Sequence, residues 1–280
     1  MSHLIDAQAL RRRLSQEAPP VVIDCRFDLA DPNLGHQQFT EGHIPGALYA
    51  DLNQDLSGTV VPGETGRHPL PNPKALCVRF GALGISNSQP VVVYDGAHGA
   101  FAARLWWLLR WLGHDRVQVL NGGLAAWLSE GGPLSKSPPA SKAGQFVQRD
   151  ALTRTCQMKE VSSQNGHLID VRDEARFQGI HEPIDPVAGH IPGAINLPFQ
   201  NNLHDGRFKA PEHLRAEFTA AGIGLEDSVT CYCGSGVTAA HTLLALLEAG
   251  YTEPTLYAGS WSEWITDPRN PVARGDHDAK

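Results

Sequence analysis

The sequence is poor in the features that mark membrane, disulfide-stapled or nucleic-acid-binding chains. Its 280 residues hold only five cysteines (Cys25, Cys77, Cys156, Cys231 and Cys233), and no C-x-x-C pair occurs among them. An odd, scattered set argues against a disulfide framework and against a structural zinc site, so a reducing cytoplasm is the expected setting. No apolar run approaches the ~18 residues of a membrane span. The first twenty residues carry their arginines behind the first apolar ones and lack a long apolar stretch, so no secretory leader is expected. Cationic charge is also short: 23 Lys+Arg against 30 Asp+Glu leave a net charge of −7, which gives no footing for a polyanion.

What is abundant is glycine, at 28 residues, and proline, at 20. That excess implies many tight turns and excludes a plain helical bundle. With 41% apolar and 19% charged residues the chain is globular, and at roughly 100–200 residues per domain its length suggests two domains.

The chain also repeats itself. VVIDCR at 21–26 returns as HLIDVR at 167–172, and EGHIPGAL at 41–48 as AGHIPGAI at 188–195. FGALGI at 80–85 matches FTAAGI at 218–223, VVVYDG at 91–96 matches VTCYCG at 229–234, and GGLAAW at 122–127 matches GSWSEW at 259–264. The offset falls from 147 to 138 between the second and third pairs, so the first copy carries nine extra residues between Ala47 and Pro73. A Ser/Gly/Pro/Lys-rich stretch after Trp127 reads as an extended, exposed linker. The expected domains are 1–133 and 148–280, joined by 134–147. Within each, short β-branched apolar runs alternate with helical stretches that often stop at glycine. This predicts two doubly wound α/β units, each with a mainly parallel sheet and helices on both faces.

The copies differ where it matters. Tyr94-Asp95-Gly96 in the first faces Tyr232-Cys233-Gly234 in the second. Ligands of open α/β sheets gather at the carboxyl ends of strands. Cys233 is placed there, followed by Gly234-Ser235-Gly236-Val237-Thr238 and a helix start, so backbone N–H groups and the helix dipole should stabilise a thiolate. Cys231, inside the strand, reads as an inert core residue. A comparable loop serves Cys-x5-Arg phosphatases, but the residue six after Cys233 is Ala239, so phosphate would lack its main cation. A soft thiolate suits a soft electrophile such as a sulfane sulfur, carried as a persulfide through two half-reactions.

The paired GHIPGA motifs, the D-x-R strand ends, the GGLAAW and GSWSEW segments and the C-G-S-G-V-T loop resemble the tandem-domain sulfurtransferases of the rhodanese superfamily, over nearly the whole chain. That resemblance implies two rhodanese-like domains, with the catalytic cysteine only in the second. Two branches compete. Enzymes using thiosulfate usually show C-R-K-G-V-T, and those using 3-mercaptopyruvate show C-G-S-G-V-T. The uncharged loop here favours 3-mercaptopyruvate, a monoanionic keto acid. The resemblance further implies a Ser–His–Asp relay, for which Ser235, His43 and Asp31 are the matching choices. It also implies a substrate arginine before an aromatic residue, matched by Arg176-Phe177, and a second arginine nine residues later. That later position is Asp185, a feature of the thiosulfate branch. Gly234 to Thr238 would line the substrate. The expected activity is transfer of sulfur to a thiol acceptor, thioredoxin-like by resemblance, or to cyanide, by a monomer without cofactor or metal. A thiosulfate sulfurtransferase and a non-catalytic sulfur-carrier or regulatory module are the alternatives.

Other residues have blander readings. Repetition of GHIPGA makes it a turn, with His190 structural and His43 functional only through the relay. Asp24, Arg26, Asp170 and Arg172 are expected to fix strand-end loops. Arg104 either lines a cleft or pairs at its helix start, and Trp106, Trp107 and Trp111 are core by spacing. GETGRHPLP at 63–71 falls in the extra stretch; Arg67 and His68 there either reach a cleft between the domains or belong to a solvated loop, the blander reading and the one expected.

Overall fold

In both halves, runs of consecutive apolar residues form strands covered on both sides, and the sheets they build are entirely parallel. The computed structural model describes residues 2–139, 143–161 and 166–275. The chain divides into two compact units. The first comprises Met1–Gly58, Pro71–Leu152 and Asp205–Arg207, and the second Thr59–Leu70, Thr153–His204 and Phe208–Lys280.

The first unit runs β1 (Leu4–Ile5), α1 (Ala7–Leu14), β2 (Val21–Asp24), α2 (Leu34–Glu41), β3 (Leu48–Tyr49), α3 (Pro73–Ala82), β4 (Val91–Tyr94), α4 (Ala100–Trp111), β5 (Val117–Leu120) and α5 (Gly123–Ser129). Local chemistry sets the helix starts: Asp6 caps α1 by accepting the Ala9 N–H at 2.6 Å, and Asn72 caps α3 with Pro73 at its first position. The sheet order is β1-β5-β4-β2-β3. Every residue of β4 is buried, as a central strand with helices on both faces requires. Trp106 and Trp107 on α4 are fully buried, in keeping with a core role.

The second half of the chain runs β6 (Arg154–Cys156), α6 (Met158–Val161), β7 (His167–Asp170), α7 (Glu174–Phe177), β8 (Ala194–Asn196), a hairpin of β9 (Leu203–His204) and β10 (Arg207–Phe208), α8 (Pro211–Ala220), β11 (Val229–Tyr232), α9 (Thr238–Glu248), β12 (Thr255–Tyr257) and α10 (Ser260–Trp264). Its sheet order, β6-β12-β11-β7-β8, repeats the first strand for strand.

The repetition reaches single hydrogen bonds. Arg26 grips Asp24 and the Gly42 carbonyl (2.7 Å), and Arg172 grips Asp170 and the Gly189 carbonyl (2.7 Å). The Tyr94 and Tyr232 hydroxyls accept the N–H groups of Ile44 and Ile191. Both histidines of the GHIPGA motifs stack on a phenylalanine, His43 on Phe39 and His190 on Phe177. Each places Nδ1 2.8 Å from a backbone carbonyl. These motifs tie the loops at the strand ends, as expected for repeated turns.

Two expectations about the connections are corrected. The linker 134–147 is largely exposed but is not a separate extended connector. Ser135 pairs with His43, the Gly144 N–H donates to the Gly81 carbonyl, and Phe146 is buried edge-on against Phe80. Residues 140–142 of it lie outside the described residues. The extra stretch of the first copy, Thr59–Leu70, packs as part of the second unit.

Candidate active site

β11 ends at Tyr232, and the chain turns through Cys233 to Val237 before α9 begins at Thr238. The turn is held from outside: the Cys233 carbonyl accepts the Trp261 N–H (3.0 Å) and the Gly234 carbonyl the Ser262 N–H (2.9 Å), both from the start of α10. Gly236 has φ +76°, and a Cβ there would lie 2.2 Å from the Ala258 carbonyl oxygen. Only glycine fits.

The loop wraps the Cys233 sulfur, which is nearly sealed from solvent. Burial alone would raise this thiol's pKa. The Thr238 hydroxyl and the backbone N–H groups of Ser235, Ala239 and Gly236 act against it and leave the pKa below the usual thiol value. The Gly236 N–H is 3.1 Å from Sγ. Cys231, two residues earlier, shows the opposite balance: burial, and then the Cys233 charge, hold its pKa well above normal. Ser260 completes the cradle, accepting the Cys233 N–H (3.0 Å) while donating to the Tyr257 carbonyl (2.9 Å). Its φ of +56° is rare for a non-glycine residue.

The imidazole on Ser235 belongs to His68. Its Nδ1 is 2.7 Å from Ser235 Oγ, and both residues are buried. In the tautomer with Nδ1 unprotonated the hydroxyl donates to the ring, the arrangement for moving a proton. This corrects the relay drawn with His43, whose ring is engaged by Phe39 in the first unit. Asp31, chosen as its acid, lies on an exposed turn of the first unit and accepts the Asn33 N–H. It also corrects the reading of 63–71 as a solvated loop. Gly66 lies so close to Gly259 that a Cβ would sit 2.6 Å from the latter's carbonyl oxygen, and the Arg67 N–H donates to Ser262 Oγ at 3.0 Å. One signal in the sequence pointed there: a copy-specific insertion bearing an adjacent Arg and His.

Arg176, on α7, reaches the loop. Its Nε and Nη2 donate to Glu182 and its Nη2 to Asp185 (3.1 Å). Asp185 also accepts from Arg67 Nη1. The side chain missing at Gly234 is what admits these groups: a Cβ there would be 2.8 Å from Arg67 Nη2 and 3.5 Å from Arg176 Nη2. Burial pushes the Asp185 carboxyl above the usual carboxylate range, against the pull of Arg67. Glu182 falls below it, because hydrogen bonds from Arg176 and the loop N–H groups outweigh burial. Arg104 is fully buried, with its guanidinium at the Leu56 carbonyl.

In the first unit the matching cradle holds Asp95. Its two carboxylate oxygens accept the N–H groups of Ala97 (3.2 Å), Gly99 (2.9 Å), Phe101 (3.0 Å) and Ala102 (3.3 Å). The same turn therefore holds a carboxyl group in one unit, its pKa pushed up by burial against four N–H donors, and a thiol nucleophile in the other.

A buried thiol of lowered pKa at a strand end, ringed by N–H donors and flanked by guanidinium groups, suits nucleophilic chemistry on an anionic substrate. The rhodanese-like domain model matches residues 6–130 and again 155–267. The chain is 50% identical over 282 residues to a Pseudomonas aeruginosa protein named "Probable 3-mercaptopyruvate sulfurtransferase", covering 98% of this chain and 99% of that one. It is 36% identical over 266 residues to the thiosulfate sulfurtransferase of Bos taurus, covering 91% and 88%. Among solved structures, the 3-mercaptopyruvate sulfotransferase SseA from Escherichia coli superposes with a TM-score of 0.82 at 32% identity, covering 94% of this chain and all of that one. This chain belongs to the rhodanese family.

Proposed function

We propose that this sulfurtransferase takes its sulfur from 3-mercaptopyruvate and passes it to a thiol acceptor, thioredoxin-like in chemistry, or to cyanide, by way of a persulfide on Cys233. The observation that carries the reading is the cradle: a buried thiol whose pKa is nonetheless lowered by Thr238 and three backbone N–H groups. The Cys233 thiolate attacks the donor's thiol sulfur. The sulfur–carbon bond breaks, its electron pair moves into the keto acid as an enolate, and protonation of that enolate releases pyruvate. The Ser235 hydroxyl moves the proton, a role supported by its 2.7 Å contact with His68 Nδ1. Arg176 holds the donor carboxylate. The acceptor then attacks the outer sulfur and leaves with it, regenerating the thiolate. The donor carries its own electron sink, so the residues named suffice for the chemistry.

Thiosulfate remains the second reading, favoured by Asp185 in place of a second arginine. Parallel kinetics decide between them, and a kcat/KM favouring thiosulfate overturns the choice of donor. Mass spectrometry tests the mechanism itself: donor treatment should add one sulfur, about 32 Da, to Cys233. Cys233→Ser should fold normally and abolish turnover with every donor. Turnover persisting in that variant removes the nucleophile assignment.

A further inference from the structure

The family pattern asks for a second arginine at position 185 and finds an aspartate, and the structure shows what that aspartate holds. Asp185 bridges two guanidinium groups, accepting from Arg67 with one oxygen and from Arg176 with the other. Arg67 is delivered by the insertion unique to the first copy and is fixed by its own N–H on Ser262. Its Nη2 is the nearest atom to the position a Gly234 side chain would take, closer than any atom of Arg176.

We infer that Arg67 is the second donor-binding cation of this site, that Asp185 positions it, and that the pair selects a monoanionic carboxylate. The inference rests on the sulfur-transfer reading above and names the residue that fixes its substrate class. Exposure supports the division of labour. The Arg67 and Arg176 side chains are 30% and 16% exposed, whereas those of Asp185 and Glu182 are 3% and 2%. The carboxylates are sealed beneath, and the guanidinium groups keep accessible faces beside the cysteine loop. Charge points the same way. Arg67, Arg172 and Arg176 are matched by Asp170, Glu182 and Asp185 in one connected set of ion pairs. A neutral set that binds by directed hydrogen bonds tolerates one added negative charge better than two.

The test needs no turnover. Cys233 is alkylated with iodoacetamide, a neutral reagent, while pyruvate is titrated in as a protecting carboxylate, and each variant is compared with its own rate without pyruvate. Arg67→Ala should raise the half-protecting pyruvate concentration about ten- to a hundredfold, the loss of one charge-assisted hydrogen bond. Asp185→Ala should raise it as well, because Arg67 loses the carboxylate that holds it beside the loop, and Asp185→Asn, which keeps one acceptor oxygen, should raise it less. The exchanged pair, R67D with D185R, should protect at least tenfold better than Arg67→Ala. Wild-type protection in Arg67→Ala overturns the inference, as does wild-type protection in Asp185→Ala, the mark of an Asp185 that positions nothing. If Arg67→Ala does not fold, the exchanged pair carries the test, and its failure to be protected while folded overturns the inference equally. No protection of the wild type by pyruvate, alongside good turnover of mercaptopyruvate, sinks this inference and spares the donor reading. Protection lost in Arg67→Ala, alongside a kcat/KM favouring thiosulfate, sinks the donor reading and the selection of a monoanion but leaves Arg67 as an anion-binding cation of the site.

Discussion

Replacing Thr238 by valine isolates the largest single contribution lowering the Cys233 pKa. The two side chains are nearly isosteric, and position 238 is half-buried, so packing changes little while the hydroxyl aimed at the sulfur is lost. A hydrogen bond to a charged group contributes about 1.5–3 kcal/mol. At about 1.4 kcal/mol per unit, the thiol pKa should rise by about one to two units. The consequence for rate has two opposed parts. Below both pKa values the thiolate population falls about ten- to a hundredfold. The less acidic thiolate is the better nucleophile, however, with a Brønsted slope of about 0.4–0.5, which returns about three- to tenfold. Alkylation by iodoacetamide across pH should therefore give two curves that cross. The variant is slower by about three- to tenfold in acid and faster by a similar factor once both thiols are ionised. Stability follows the same linkage. A thiol whose folded pKa lies below its unfolded one stabilises the fold fully above the unfolded value, and that contribution fades as pH falls through the folded one. Thr238→Val should thus be most destabilising at alkaline pH. An unmoved midpoint, or curves that never cross, would refute the account of the cradle.

His68→Asn should slow persulfide formation by about a hundred- to ten-thousandfold if the Ser235–His68 pair moves the proton to the departing enolate. Rapid-quench measurement of the first half-reaction reads this directly, and an unchanged burst rate would dismiss the relay. Asp95→Ala should destabilise the first unit by about 2–4 kcal/mol, because four inward N–H groups lose their acceptor. Asp95→Asn, which keeps one carbonyl oxygen, should lose less. Chemical denaturation checks both, and a wild-type midpoint for the alanine variant would mean that water serves the loop equally well.

Much of this architecture could be read from the chain because duplication displays each element twice. The strands VVID and VVVY, the glycine-terminated helices and the Cys233 turn all follow from local patterns that the second copy repeats. The relay histidine could not be found that way. His43 lies in a motif that recurs, and recurrence marks what both copies need, namely a turn tied through Phe39. His68 lies in the segment that breaks the repeat, where no second copy exists for comparison. Its burial depends on Gly66 fitting against Gly259, nearly two hundred residues away in sequence. Arg67, the second cation of the site, escaped for the same reason. Position 185 shows only an aspartate, and its meaning depends on an arginine delivered from a distant stretch of chain. Composition placed Arg67 in a polar loop, and only the fold shows the missing Gly234 side chain that makes room for it.

The occupied cradle of the first unit restricts how such a duplicate can lose its chemistry. A turn that aims several N–H groups at one point creates a demand for an acceptor there, whether or not anything reacts. Once the cysteine of a copy is no longer needed, drift to alanine or valine would leave those donors stranded in a dry interior. Aspartate supplies two acceptor oxygens of nearly the right reach. The aspartate at position 95 thus keeps the loop satisfied in a copy that has no cysteine there. Retired copies of anion-binding turns should therefore fall silent by acquiring acidic or amide side chains far more often than apolar ones.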